Sequence, residues 1–417
     1  MAINKQEKKY VISIYILMTA ITVYPTFPSN SSTLTILNAL TLLSYIIILY
    51  LLYQLKILRC LIRPHNKILL ITYTFISFLI IVRTQWGHDL KSILLNFINT
   101  RNMLPFVMPF IILFLPNAKY FKDILKIFFY ASLVMIPIWI FNLKDLVQIG
   151  FAGEHIGNYI PYFSAFLLGF PYLFNRKQNF ALYAITFIYL ILMILNARRN
   201  VTLSLGMYIL FAYYIIIQNN IKRDPNRLGI ILSISIIIII AILIYWNSLM
   251  SGLFENLNAR MNANTREEVN DLFFQDFMNA PLIDWIIGRG ASGGYIQPSY
   301  NIETGEYSVL RNGIETGYLH FLLKGGIIYM ISILLFILNA IRNAWKSNNL
   351  IYKYIELTLL YSFIDFYATT SISEFTPRLI IFWFCISMLC TENYKQYTKS
   401  NIRITDLQTN NKQSNIR

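Results

Sequence analysis

Apolar runs and short polar connections alternate along nearly the whole chain. The runs lie near residues 10–27, 34–53, 67–83, 103–116, 124–142, 159–175, 180–197, 200–218, 228–247, 316–340, 351–370 and 376–392. Most approach the roughly 17–25 apolar residues that a helix needs to cross a hydrocarbon core of about 30 Å. The pattern predicts an all-α polytopic membrane protein with twelve transmembrane helices. The first run follows a basic start, Lys5, Lys8 and Lys9, and no small-residue cleavage site precedes the second. It reads as a retained signal anchor.

Composition agrees with the pattern. Of the 417 residues 56% are hydrophobic and only 13% are charged, against about a quarter charged in a globular domain. The formal net charge of +15 would suggest nucleic acid, were it not for where the basic residues fall. With the N-terminus inside, the connections on that side carry Lys56, Arg59, Arg63 and Lys67; Lys119, Lys122 and Lys126; Arg176 and Lys177; Lys222, Arg223 and Arg227; and Arg342, Lys346 and Lys353. With the N-terminal lysines and the tail, that side holds 23 of the 35 Lys and Arg residues. The opposite side has the longest connection and still fewer. This bias predicts cytoplasmic termini and ties the charge to topology and anionic membrane lipids; no nucleic-acid partner is expected. The chain then divides into helices one to nine over 1–247, a large external loop over 248–315, helices ten to twelve over 316–392 and a cytoplasmic tail over 393–417, polar enough to be disordered.

Two external segments stand out. In residues 84–102, Ile93, Leu94, Phe97 and Ile98 recur at helical spacing, with Lys91, Asn96 and Arg101 on other faces, as in a helix lying along the interface. In the large loop, Thr265 and Glu268 have capping-box spacing. Val269, Leu272, Phe273 and Phe277 follow as an apolar stripe that Pro281 ends, which predicts a short amphipathic helix. Beyond it the loop is rich in turn residues.

Several chemistries lack their residues. Gly288, Gly290, Gly293 and Gly294 are not followed by the Gly-Lys-Ser/Thr of a phosphate-binding loop. His65, His88, His155 and His320 show no ligand spacing, and Cys60, Cys385 and Cys390 form no metal or disulfide framework. No cofactor or metal is expected. Carboxylates in or beside the spans, Glu356, Asp365 and Glu374, offer little for a proton relay. Polar groups gather instead on the external side: Arg101, Arg198, Arg199, Arg289, Arg311, Glu315, His320, Lys324 and Arg378. Some would snorkel to headgroups. The forked guanidinium also suits pyrophosphate, at about 1.5–3 kcal/mol per charge-assisted hydrogen bond.

Three stretches carry a resemblance: "LNARRN" at 195–200, "IIGRG" at 286–290 and "RNGIETGYLHFLLKGGIIY" at 311–329. In order, spacing and predicted sidedness they resemble the O-antigen polymerase and ligase superfamily of bacterial membrane glycosyltransferases. The likeness spans most of the chain in architecture and about 90 residues in motif. It implies a GT-C-like helical fold in the bacterial inner membrane. It also implies an undecaprenyl-pyrophosphate-linked glycan as substrate, membrane lipids around it and a chain-length regulator as a partner. No nucleotide or metal would be needed. By position Arg198, with Arg199 beside it, would contact the pyrophosphate, and Arg101, Arg289 and Arg311 would help hold that group or the glycan. Many members have His-Asn where this chain has Glu315 and Thr316. Either Glu315 or His320 could then be the base that activates the acceptor hydroxyl, with Glu315 in the matching position. Glu315 is also spaced to pair with Arg311 one helical turn away. The implied reaction is inverting extension of a lipid-linked polymer for O-antigen or capsule. Ligation to lipid A core and lipid-linked oligosaccharide flipping are the alternatives.

Overall fold

The computed structural model describes residues 64–85, 118–141, 162–195, 199–223, 265–301, 306–347, 349–368 and 376–390, with single positions elsewhere. The first, second, fourth and ninth apolar runs, most of 84–102 and the tail lie almost wholly outside these residues. In chain order the elements are α1 (Pro64–Val82), α2 (Ala118–Phe141), α3 (Tyr162–Leu167), a 3-10 turn (Pro171–Leu173), α4 (Arg176–Leu195), α5 (Arg199–Arg223), α6 (Thr265–Met278), α7 (Leu282–Ile287), β1 (Tyr295–Asn301), β2 (Glu306–Arg311), α8 (Gly317–Trp345), α9 (Leu350–Ala368) and α10 (Pro377–Cys390).

Helix dominates, and among the described residues three segments are long and apolar enough to cross a membrane: Arg176–Ile194 in α4, Asn200–Gln218 in α5, and α8. The chain is a membrane protein by that measure. α10 is buried along its whole length, as its all-round apolar sequence requires. Around it stand α3, α8 and α9; α1 packs on α8, and α5 on α9. Aromatic rings fill the joints. Trp383 lies 5.4 Å from Tyr73 and 5.6 Å from Phe336, while Phe128 stacks on Phe163 at 4.5 Å. The Tyr73 and Tyr329 hydroxyls share a hydrogen bond at 3.3 Å, and Tyr73 also donates to the Phe106 carbonyl at 3.4 Å.

Three departures from the sequence pattern have physical causes. The sixth run carries only the six residues of α3 before the chain turns. Pro171 has no N–H to continue a helix and disfavours the helical conformation at Phe170. The region after Gly294 is a β-hairpin, with Tyr295 opposite Arg311 and an irregularity between Ile296 and Ser299. That irregularity falls at Pro298, which has no N–H for the ladder. α8 outruns the tenth run, ends at Trp345, and breaks at Gly326, whose φ of 66° is left-handed.

The amphipathic helix forms as its pattern predicts. α6 buries Phe273 and Phe277 against Tyr295, Ile314, Leu319, Leu322 and Leu323. The hairpin, α6 and the first turns of α8 thus share a small core of their own, beside the main one.

Candidate functional site

The break in α8 is where the glycine-rich loop docks. Arg289 N–H donates to the Leu323 carbonyl at 2.7 Å and Gly290 N–H to the Lys324 carbonyl at 3.1 Å. Lys324, fully buried, returns the contact: its Nζ donates to the Ala291 and Gly293 carbonyls at 2.8 and 2.9 Å. A broken helix must find partners for the backbone groups that the break frees, and this loop supplies them. The fit is tight. A Cβ on Gly326 would stand 2.3 Å from the Ile286 carbonyl oxygen, and one on Gly290 would stand 2.6 Å from the backbone of Arg83.

Charges lock the loop in place. Asp284, buried in the apolar α7, accepts from Arg83 at 2.7 Å and from Arg289 Nε at 2.9 Å. Arg289 also donates to Asp276 on α6 and to the Gly294 carbonyl at 2.8 Å, with its guanidinium 4.7 Å above the Phe277 ring. Arg289 is therefore held by its own fold. At the end of β2, Arg311 donates to Gln297 at 3.1 Å and to Glu315 at 3.4 Å. Tyr295 donates to the same Gln297 oxygen at 2.5 Å. Burial pushes the Tyr295 phenol above its usual pKa, with Arg311 pulling the other way.

Glu315 and His320 part company. Glu315 is exposed, whereas His320 is buried in the first turns of α8, where a Cβ on Gly313 would lie 3.7 Å from its ring. Between them Thr316 donates to Asn270 on α6 at 2.9 Å.

A second network sits where α3, α5, α9 and α10 meet. Arg378 and Asp365 pair at 2.5 Å with side chains only 5% and 4% exposed. The same guanidinium donates to the Tyr162 hydroxyl, lies 4.1 Å above that ring, and reaches the Asn200 carbonyl at 3.4 Å. Ser204 donates to that carbonyl at 2.7 Å and shares a 2.8 Å hydrogen bond with Tyr361.

The last turns of α9 touch both the second network and the first turns of α8. Asp365 leads through Arg378 to the start of α5. Phe366 packs 5.2 Å from Phe321, and Tyr367 stacks on Tyr318 at 6.1 Å, both on the first turns of α8. Of the residues singled out from sequence, Arg289, Arg311, Glu315 and His320 thus belong to one small domain. Arg199 opens α5, though its side chain is outside the described residues, as are Arg101 and Arg198 altogether. Arg83, Asp276, Asp284 and Tyr162 were not singled out, and Asp365 was read only as a weak relay candidate. Asp284 and Asp365 each have a signal: a lone carboxylate in "PLIDWII" or "YSFIDFYA" needs a buried cation. Among the described residues no three His, Cys, Asp or Glu side chains gather as a metal site would require. No protein-family model, curated protein or solved structure matches the chain.

Proposed function

We propose that the chain is a membrane glycosyltransferase that extends an undecaprenyl-pyrophosphate-linked glycan at the outer face of the bacterial inner membrane. In this reading it has twelve spans, a GT-C-like architecture and cytoplasmic termini, and the small domain faces outward. The observation that carries it is the meeting on α9: Asp365 and Tyr367 bring the Arg199 end of α5 and the Arg311–Glu315 end of the small domain to the same end of the bundle.

The start of α5 suits an anionic leaving group. The dipole at a helix N-terminus favours negative charge, and Arg198 and Arg199 would add two guanidinium forks. As the sugar C1–O bond breaks, negative charge grows on the pyrophosphate and these groups stabilise it. A base takes the acceptor proton while the acceptor oxygen forms the new bond, with inversion at C1. The exposure of Glu315 supports it over the buried His320 as that base. Arg311 beside Glu315 would orient the carboxylate or the glycan. Arg289, engaged by two aspartates, acts by shaping the loop. Arg101 would be a further glycan or pyrophosphate contact.

Arginine-to-lysine exchange tests the reading, because lysine keeps the charge and loses the fork. Losing a contact of about 2–3 kcal/mol that strengthens in the transition state slows transfer roughly 30- to 150-fold. Arg198→Lys is expected to shorten the glycan more than Arg199→Lys, with membrane levels unchanged. Full-length polymer from both variants and from the double variant would reduce the arginines to headgroup anchors. In a deletion strain, single-repeat caps are expected. Unattached long chains would assign ligation instead, and cytoplasmic lipid-linked units would assign flipping.

A further inference from the structure

α7 carries its charge inward and its aliphatic side chains outward. Asp284 faces Arg83 and Arg289, whereas Leu282 is 73% exposed and Ile283 and Ile286 are also exposed. A six-residue helix in a water-facing loop gains nothing from displaying three large aliphatics.

Two independent rulers give the depth of this helix. The first is α1. Ile68, Ile71, Phe75, Phe78 and Val82 are all exposed at alternating spacings of three and four, while Tyr73, Ile76 and Ile80 on the other face are buried. An exposed apolar stripe along a helix of this kind faces lipid, and it ends at Val82. The next residue, Arg83, donates to the Ile283 carbonyl at 3.2 Å and to Asp284 at 2.7 Å, so α7 is pinned where the stripe stops. The second ruler is α8. Exposed Trp345, with Lys353 5.6 Å from its ring, has the character of an interfacial belt residue at the far end. From Trp345 back to Gly326 the helix rises roughly 29 Å at 1.5 Å per residue, about one hydrocarbon core. Gly326 abuts the backbone of Ile286 and Ile287. Both rulers put α7 at the boundary between hydrocarbon and headgroups.

We propose that α7 is a lipid-docked interfacial helix whose Leu282, Ile283 and Ile286 insert into the bilayer leaflet at the loop-bearing end. The small domain then lies on the membrane surface, with Arg83, Arg289 and the glycine-rich loop at headgroup depth. This holds whatever reaction the chain performs.

Spin labels at single introduced cysteines test it in full-length protein reconstituted in phosphatidylcholine–phosphatidylglycerol vesicles. Cys60 is replaced by serine; buried Cys385 and Cys390 stay, and protein without an introduced cysteine gives the background. Labels replace Leu282 and Ile286, with Phe78→Cys as the hydrocarbon reference and Gln275→Cys, exposed on α6, as the aqueous one. Collision with oxygen and with a water-soluble nickel chelate is then compared. The depth parameter at 282 and 286 is expected to take the sign found at Phe78, opposite to that at Gln275. Labels at both positions as open to the chelate as Gln275 would overturn the proposal. So would labels shielded from both reagents, which would mean that protein, a second copy or another segment, covers the face.

Discussion

Two arginine–aspartate networks hold this protein together, and they work under different rules. Arg378 and Asp365 lie in the seam of four helices, almost fully buried, with Tyr162 as both ring and hydroxyl partner. Arg83, Asp284, Arg289 and Asp276 form a chain that ties the small domain to the bundle, with arginine side chains 26% and 19% exposed. In the first network a charge that loses its partner has no water to turn to. In the second, water and salt can take over part of the work. The difference teaches where each network acts: one keeps the bundle's helices in register, the other keeps a surface domain docked.

The largest effect should come from Asp365→Asn. It leaves Arg378 buried without its carboxylate, and breaking such a pair costs about 3–5 kcal/mol. Thermal unfolding in detergent is expected to show a marked loss, which a second change, Arg378→Gln, partly reverses by removing the stranded charge. Strictly additive losses would mean that the two residues are not energetically coupled.

Gly326→Ala comes next. The left-handed φ costs a non-glycine residue about 1–3 kcal/mol, and the new Cβ meets the Ile286 carbonyl. Hydrogen exchange should accelerate at the amides of Arg289 and Gly290 while α4 and α5 stay protected. Uniform acceleration would show that the domain and the bundle unfold as one.

Asp284→Asn should be milder. Two charge-assisted hydrogen bonds are weakened, but with both arginines partly exposed the loss is about 1–2 kcal/mol and confined to docking. Raising salt should shrink this loss and leave that of Asp365→Asn unchanged, since buried pairs are screened less. Equal salt dependence would erase the contrast between the networks.

Glu315→Gln should barely touch stability, because a partly exposed surface ion pair contributes at most about 1 kcal/mol. If the glycan nevertheless collapses to single repeats at normal protein levels, the carboxylate acts in the chemistry. Unchanged chain length would leave Glu315 as the partner of Arg311 alone.

The sequence by itself determined that the chain is a helical membrane protein, because a run of about twenty apolar residues has few other ways to satisfy its backbone in hydrocarbon. It also determined α6, whose stripe at 273 and 277 needs an apolar surface to cover it. Those features depend on neighbours along the chain. What only the tertiary structure decided is who meets whom: Arg378 with Tyr162 and Asn200, Arg83 with Asp284, Lys324 with the carbonyls of Ala291 and Gly293. That Arg289 pairs with Asp276 and Asp284 is likewise beyond local pattern. The break at Gly326 is of the same kind. Two glycines in an apolar run permit a kink, but a loop that reaches it with its own N–H groups is what makes a broken helix stable. The partners of a buried charge or a freed carbonyl come from distant parts of the chain, and no local pattern records them.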